Sequence, residues 1–436
     1  MPTKQFLMSG TSYACSTSGV SYYSTLLGDG NLSWSTLEAG RTGIVTASGK
    51  LSNFQVGVAV APGDEKSWIY TVRKNEDATS LSVTISGAAV LSSVDSDEVT
   101  VAVGDRVCIE GVGVDTPAAA GANYWTCQFT PDTDGETILL SNTGGTPVTA
   151  DRYFPLIGGK ISDDVEFDVQ TLFPTEGTLK NFYVQMQNAP GNGNSAIFTI
   201  RKNEGATSLV VTISGGNTTG SDTDPAHNID IAAGDRAIIF YTVVGAPAAS
   251  YNWFGIGFLP NTQGEFIASA TTDNITSSTA VEYQPLNCAD STLTATESEQ
   301  HNLAQATTVK KIYVNLSNYP NNGYTWVFTL RRNATTTTNL TVSISNLATS
   351  GNAAVDVAIS AADLLDTMID ATAGTRTAAS QIAYLFYNAP TAEGWANIKY
   401  IRAGTGSILA TDLSHIWFGT TPVAVADIAE FGGVAV

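Results

Sequence analysis

The sequence predicts an all-β chain of three tandem jelly-roll or β-sandwich units, each about 130 residues long. Three observations predict it. A basic hairpin phrase, TVRKNEDATSLSVTISG at 71–87, returns as TIRKNEGATSLVVTISG at 199–215 and as TLRRNATTTTNLTVSIS at 329–345. Within each phrase apolar and polar residues alternate, the two-residue period of a strand with one buried face. Patterns with the period of a helix are nearly absent. The exception is 360–371, SAADLLDTMIDA, where the sequence predicts a helical turn.

Three landmarks keep one period. Arg73, Arg201 and Arg331 are separated by 128 and 130 residues; Asp105, Asp235 and Asp363 by 130 and 128; Pro131, Pro260 and Pro390 by 129 and 130. Self-similarity of this kind marks repeated structural bodies, and the period is too long for a β-helix or a propeller blade. The segment DRYFPLIGG at 151–159 matches VEYQPLNCA at 281–289, with weaker relatives in QFLMSG at 5–10 and HIWFGTT at 415–421. These matches place one unit at 1–150 with an N-terminal extension, a second at 151–280 and a third at 281–414. Residues 415–436 then form a strand that closes the third unit or is exchanged with a neighbouring chain.

The core side of each unit is expected at Tyr70, Val72, Leu81, Val83 and Ile85, then at Phe198, Ile200, Leu209, Val211 and Ile213. In the third unit it falls at Phe328, Leu330, Leu340, Val342 and Ile344. Between the paired runs stand NEDATS, NEGATS and NATTTTN, turn formers in which Asn readily adopts a left-handed backbone. About ten strand-sized runs fit each unit.

Hydrophobic residues make up 43% of the chain and charged residues only 14%, a globular composition weighted toward strands and turns. The net charge of −20 argues against general affinity for nucleic acid or an anionic membrane. No signal-peptide core or membrane-length apolar run is visible, so the protein is expected to be made in a host cytoplasm. Cys15, Cys108, Cys127 and Cys288 lack the local spacing of a zinc site; Cys108 and Cys127 are expected in neighbouring strands as buried thiols, with a disulfide between them as the alternative.

The second unit carries IDIAAGDRAIIFYTV and then YNWFGIGFLP. This resembles the end of the tumour-necrosis-factor-like globular heads, the complement-type heads included, at Gly234, Asp235, Phe254, Gly255 and Phe258. The first unit keeps Gly104 and Asp105 but has no glycine in YWTCQF, and the third has Ala362 in place of the first glycine. The resemblance covers about a quarter of each unit. It implies ten-stranded jelly rolls that assemble as trimers, hence three units packed around a pseudo-threefold axis, with beads along a rod as the alternative. In style the chain also resembles tailed-phage virion proteins: capsid decoration proteins, head fibres and tail components.

No nucleophile elbow, phosphate loop, dinucleotide fingerprint or zinc-protease motif occurs, and His227, His301 and His415 fall at non-equivalent places. Each histidine is expected to be an ordinary surface or loop residue, and the chain is expected not to be an enzyme. Calcium is the candidate ion, at Asp132 and Asp134 in PDTDGE and at Asp222 and Asp224 in SDTD, where oxygen ligands stand two residues apart. Solvated acidic turns are the alternative. The basic pairs Arg73–Lys74, Arg201–Lys202 and Arg331–Arg332 are read in two ways. They form three cationic tips for an anionic glycan or acidic patch, or they protect strand ends and balance neighbours such as Glu76, Asp77 and Glu204. The expected function is structural: a virion protein decorating a phage capsid, with the major capsid protein, other virion proteins or further copies of itself as partners. A tail or receptor-binding component and a carbohydrate-binding protein that meets a surface glycan are the alternatives.

Overall fold

The computed structural model describes residues 3–15, 17, 19–28, 33–159, 163–276, 281–289, 293–371 and 376–389, with the short stretches 416–418, 421–423, 430–431 and 434–435. The body from Pro2 to Pro390 is one compact unit. Its first part runs β1 (Gln5–Thr11), β2 (Tyr22–Ser24), β3 (Gly43–Ile44), β4 (Gly49–Val58), β5 (Gly63–Lys74), β6 (Asp77–Gly87), β7 (Val99–Val101), β8 (Arg106–Val114) and β9 (Asn123–Pro131). The second runs β10 (Thr137–Asn142), β11 (Arg152–Phe154), β12 (Gly158–Gly159), β13 (Thr171–Leu172), β14 (Gly177–Met186), β15 (Gly191–Lys202), β16 (Gly205–Gly215), β17 (Thr219–Asp222), β18 (Ile229–Ile231), β19 (Arg236–Val244) and β20 (Asn252–Pro260). The third runs β21 (Glu265–Thr276), β22 (Glu282–Gln284), β23 (Asn302–Leu303), β24 (Thr307–Leu316), β25 (Asn321–Arg332), β26 (Thr336–Asn346), β27 (Ser350–Ile359), β28 (Leu364–Asp370) and β29 (Thr377–Tyr387).

Each part is a sandwich of two sheets. The first pairs β1-β9-β4-β7 against β2-β8-β5-β6, with β3 also on β8. The third repeats this as β21-β29-β24-β27 against β22-β28-β25-β26, with β23 on β28. The second has β12-β10-β20-β14-β17, with β18 on β14, against β11-β19-β15-β16, with β13 on β19. The alternating residues expected in the core, from Tyr70 through Ile344, are all buried, because alternation sends one face of each hairpin between the sheets. The separate C-terminal unit contains two short hairpins, β30 (Ile416–Phe418) with β31 (Thr421–Val423) and β32 (Glu430–Phe431) with β33 (Val434–Ala435). Most of the expected closing strand at 415–436 lies outside the described residues.

Three expectations are corrected. The stretch 360–371 is a turn followed by strand β28, because Leu365 and Ile369 are buried in a sheet whose hydrogen bonds they complete. Strand β1 occupies the place of β10 and β21, each lying beside the last long strand of its sandwich. The counterpart of 151–159 in the first part is therefore the run containing Tyr22–Ser24, since short apolar motifs match in more than one register. Strands β10 and β21 lie within 1–150 and 151–280 and pair in the sheet that follows. Lastly, Cys108 and Cys127 are unbridged thiols on β8 and β9, strands of opposite sheets and not neighbours.

The three sandwiches close on one another in a cycle. Strand β3 packs on β10, β14 and β20 of the second; β13 packs on β21 and β29 of the third; β23 packs on β1, β4 and β9 of the first. The same short strand thus reaches forward each time, and the third contact returns to the first part, the closure expected of a pseudo-threefold arrangement. A row of beads has no such return contact. One apolar core runs from Leu7 through the second sandwich to Ile267, and Phe6 and Met8 of β1 belong to the core of the third.

Candidate functional site

The repeated basic turn sits at the tip of each long hairpin. Asn75 and Glu76, Asn203 and Glu204, and Asn333 and Ala334 all have positive φ, which the tight two- or three-residue connection requires. The Asn side chain then ties the hairpin to the Gly-Asp turn of its own sandwich, Ala-Asp in the third. Asn75 Nδ2 donates to Asp105 Oδ1 (2.7 Å) and Asn75 Oδ1 accepts from the backbone of Arg106 (2.8 Å). Asn203 repeats this with Asp235 and Arg236 (2.6 and 3.0 Å), and Asn333 with Asp363 and Leu364 (2.7 and 2.8 Å). The aspartates accept a further backbone N–H from Ala102, Ala232 and Ser360.

All six basic residues face a carboxylate within their own sandwich. Arg73 meets Glu38 (3.1 Å), Arg201 meets Glu166 (2.9 Å) and Arg331 meets Glu297 (2.9 Å). Lys74, Lys202 and Arg332 meet Asp105, Asp235 and Asp363 at 3.9, 3.1 and 3.8 Å. Each arginine also donates to the carbonyl of Glu76, Glu204 or Ala334 across its turn. The sequence reading missed the glutamate partners. Each opens a one-turn 3-10 helix, and they precede their arginines by 35, 35 and 34 residues, an offset that varies by one residue and is readable from the chain.

The calcium candidates have local partners. Asp134 accepts from the N–H of Thr3 (2.9 Å), and Asp224 caps the short turn at Ala226 (2.9 Å). Asp222 receives the N–H of Val210 (3.0 Å) and Nδ1 of His227 (2.9 Å). Burial alone would push the Asp222 carboxyl up, but these hydrogen bonds hold it below its ordinary value. Asp132 lies next to the β9 end, its N–H bonded to the carbonyl of Ser48.

His301 departs from expectation: it is 6% exposed and packs edge-on against Tyr124 of the first sandwich, ring centroids 5.9 Å apart. It belongs, with Glu297 and Asp366, to the one group of three histidine, cysteine or carboxylate side chains among the described residues whose ligating atoms lie within 4.8 Å of one another. His301 Nε2 and Asp366 Oδ2 are 3.5 Å apart, yet that nitrogen has no hydrogen-bond partner and an ionised Asp366 meets no donor among the described residues; a protonated Asp366 hydrogen-bonds Glu297. Asp366 is fully buried, and this burial, with the negative charge of Glu297 beside it, raises its carboxyl well above the usual range. Burial likewise lowers the imidazole of His301. His415 lies outside the described residues.

A further opening, a cleft of 740 Å³, lies between the second and third sandwiches and is lined by Phe167, Asn203, Asp235, Arg236, Tyr313 and Asn315. Its charged groups are those already engaged in the second Gly-Asp turn. Fold and turns together define a class: a single-chain cycle of three β-sandwiches, each locked by an Arg–Glu pair and an Asn–Asp clasp. No protein-family model matches the chain, and no curated protein matches it.

Proposed function

We propose that this chain is a non-enzymatic structural protein of a virion, built of tumour-necrosis-factor-like jelly-roll units, which decorates a phage capsid. The observation that carries the reading is the cyclic closure of three like sandwiches within one polypeptide. Such a body presents three related surfaces about one axis, and a closed icosahedral shell offers points where three equivalent surfaces meet. The placing of each first long strand beside the last, together with closure by threes, supports the likeness to heads that assemble as trimers. The net charge of −20 suits a basic lattice partner, the major capsid protein, through complementary fields rather than through the paired arginines.

The test is to mix purified protein with intact expanded capsids of the source virus. The expected result is saturable binding at one chain per threefold position, with increased resistance of the particles to heat or chelators. Absence of both binding and protection overturns the proposal. Adsorption to host cells together with the virion identifies a tail or receptor-binding component instead, and affinity for a glycan without virion association identifies a carbohydrate-binding protein.

A further inference from the structure

The three sandwiches carry the same slot behind the Arg–Glu pair, and the third has refilled it with ionisable groups. Four residues after the pairing glutamate stand Thr42, Gln170 and His301, each the last residue before β3, β13 or β23. Three residues after the aspartate of the Gly-Asp turn stand Cys108, Ile238 and Asp366. In the first sandwich the slot is neutral and satisfied: Cys108 Sγ donates to Glu38 Oε1 (3.4 Å), and Thr42 donates to the Glu38 carbonyl (3.0 Å). In the second, Gln170 reaches Glu166 (3.5 Å) and accepts from Gln381 (2.9 Å), while Ile238 is apolar. The third holds a carboxyl group and an imidazole that are both more than nine-tenths buried; His301 Nε2 has no hydrogen-bond partner and an ionised Asp366 meets no donor among the described residues, its one side-chain bond being the one a protonated Asp366 makes with Glu297. Burying such groups is unfavourable unless a cation or proton neutralises them.

We propose that Glu297, His301 and Asp366 form a binding site for a divalent first-row transition metal, with Zn2+ as the fitting ion. One imidazole nitrogen and two carboxylate oxygens match the borderline character of that ion rather than the all-oxygen shell of calcium. The 3.5 Å between His301 Nε2 and Asp366 Oδ2 suits two ligands on one ion, since bonds of about 2.1 Å at a tetrahedral centre put donor atoms roughly 3.4 Å apart. Arg331 orients Glu297 from behind, donating from Nε to Oε1 (2.9 Å) and from Nη2 to Oε2 (3.1 Å), and each oxygen keeps a second lone pair. The fourth ligand is water or none. Because β23 packs on the first sandwich and Tyr124 rests on His301, an ion here fastens the contact that closes the cycle.

The test uses the full chain, stripped with a chelator and titrated with zinc chloride by calorimetry. One zinc per chain is expected, with a higher thermal midpoint. Asp366→Asn and His301→Ala each weaken binding by about a hundredfold or more, whereas His227→Ala, at the pair with Asp222 in the second sandwich, leaves it unchanged. The double variant His301→Gln with Asp366→Ile carries the residues the second sandwich uses, so it folds and is blind to zinc. Cobalt substitution of the unaltered chain gives the visible bands of a four-coordinate site and answers independently of any variant's folding. A chain that binds no stoichiometric zinc, or a double variant that binds it equally, overturns the proposal and leaves Asp366 neutralised by a proton.

Discussion

Ala362 stands where the other two sandwiches have Gly104 and Gly234, and all three residues have positive φ. A Cβ costs about 1 kcal/mol or more in that region, so Ala362→Gly is expected to stabilise the chain by roughly 0.5–1 kcal/mol after the entropy of glycine is deducted. Gly104→Ala is the converse: a Cβ there meets no atom within 4 Å, so its cost of about 1 kcal/mol is one of backbone conformation alone. Denaturant melts of the two variants check the pair. Two aspartates set an acid limit on stability. Burial tends to raise the Asp235 carboxyl, but the N–H of Ala232, the Asn203 amide and Lys202 together lower it, as Val210 and His227 do for Asp222. Their folded-state values lie below the unfolded one, so they stabilise the fold above about pH 4, and that contribution is lost as pH falls from there through the folded values. Unfolding free energy measured from pH 5 down to pH 3 is expected to fall, and less steeply in Asp235→Asn and Asp222→Asn.

At the scale of elements, the value of each ion pair follows from its burial. Arg331 and Glu297 are 12% exposed each, whereas Lys74 and Asp105 are 34% and 18% exposed and 3.9 Å apart. Arg331→Ala leaves Glu297 beside the buried Asp366 and is expected to cost about 2–4 kcal/mol, while Lys74→Ala costs less than about 1 kcal/mol. Strand packing between sandwiches sets a second limit. A Cβ on Gly255 of β20 would collide with the backbone carbonyl of Ile44 on β3, and backbone cannot rotate aside. Gly255→Ala is therefore expected to cost about 1–3 kcal/mol by forcing the first two sandwiches apart. The equilibrium melt of this variant, read against a surface Gly216→Ala control with open space around it, measures that cost.

For the whole molecule, the shared core decides cooperativity. Because apolar side chains of the first two sandwiches form one cluster and β1 contributes Phe6 and Met8 to the third, no sandwich can unfold without exposing its neighbour's core. Calorimetry is expected to show one transition for this body, with van't Hoff and calorimetric enthalpies close to equal; three independent units would give a ratio of about one third. Each join also carries a polar contact. Trp253 donates to the carbonyl of Ala39, Gln381 to that of Phe167 (2.7 Å) and Gln305 to that of Asn53 (2.7 Å).

What the sequence by itself determined is what repeats locally. The hairpins around Arg73, Arg201 and Arg331, their buried faces and the Asn turns were legible because strand alternation and turn chemistry act over a few residues, and three copies exposed the period. The helical turn expected at 360–371 failed because local propensity yields to a strand position already hydrogen-bonded on both sides. Tertiary structure alone decided what acts at long range. Glu297 reaches Arg331 across 34 positions, β23 finds the first sandwich across the whole body, and His301 becomes buried although nothing near it in sequence forecasts it. Charge pairing and desolvation depend on which distant surfaces meet, so the carboxylates that engage the basic turns, turns the sequence allowed either as cationic tips or as balanced strand ends, are identified only after the fold brings them there.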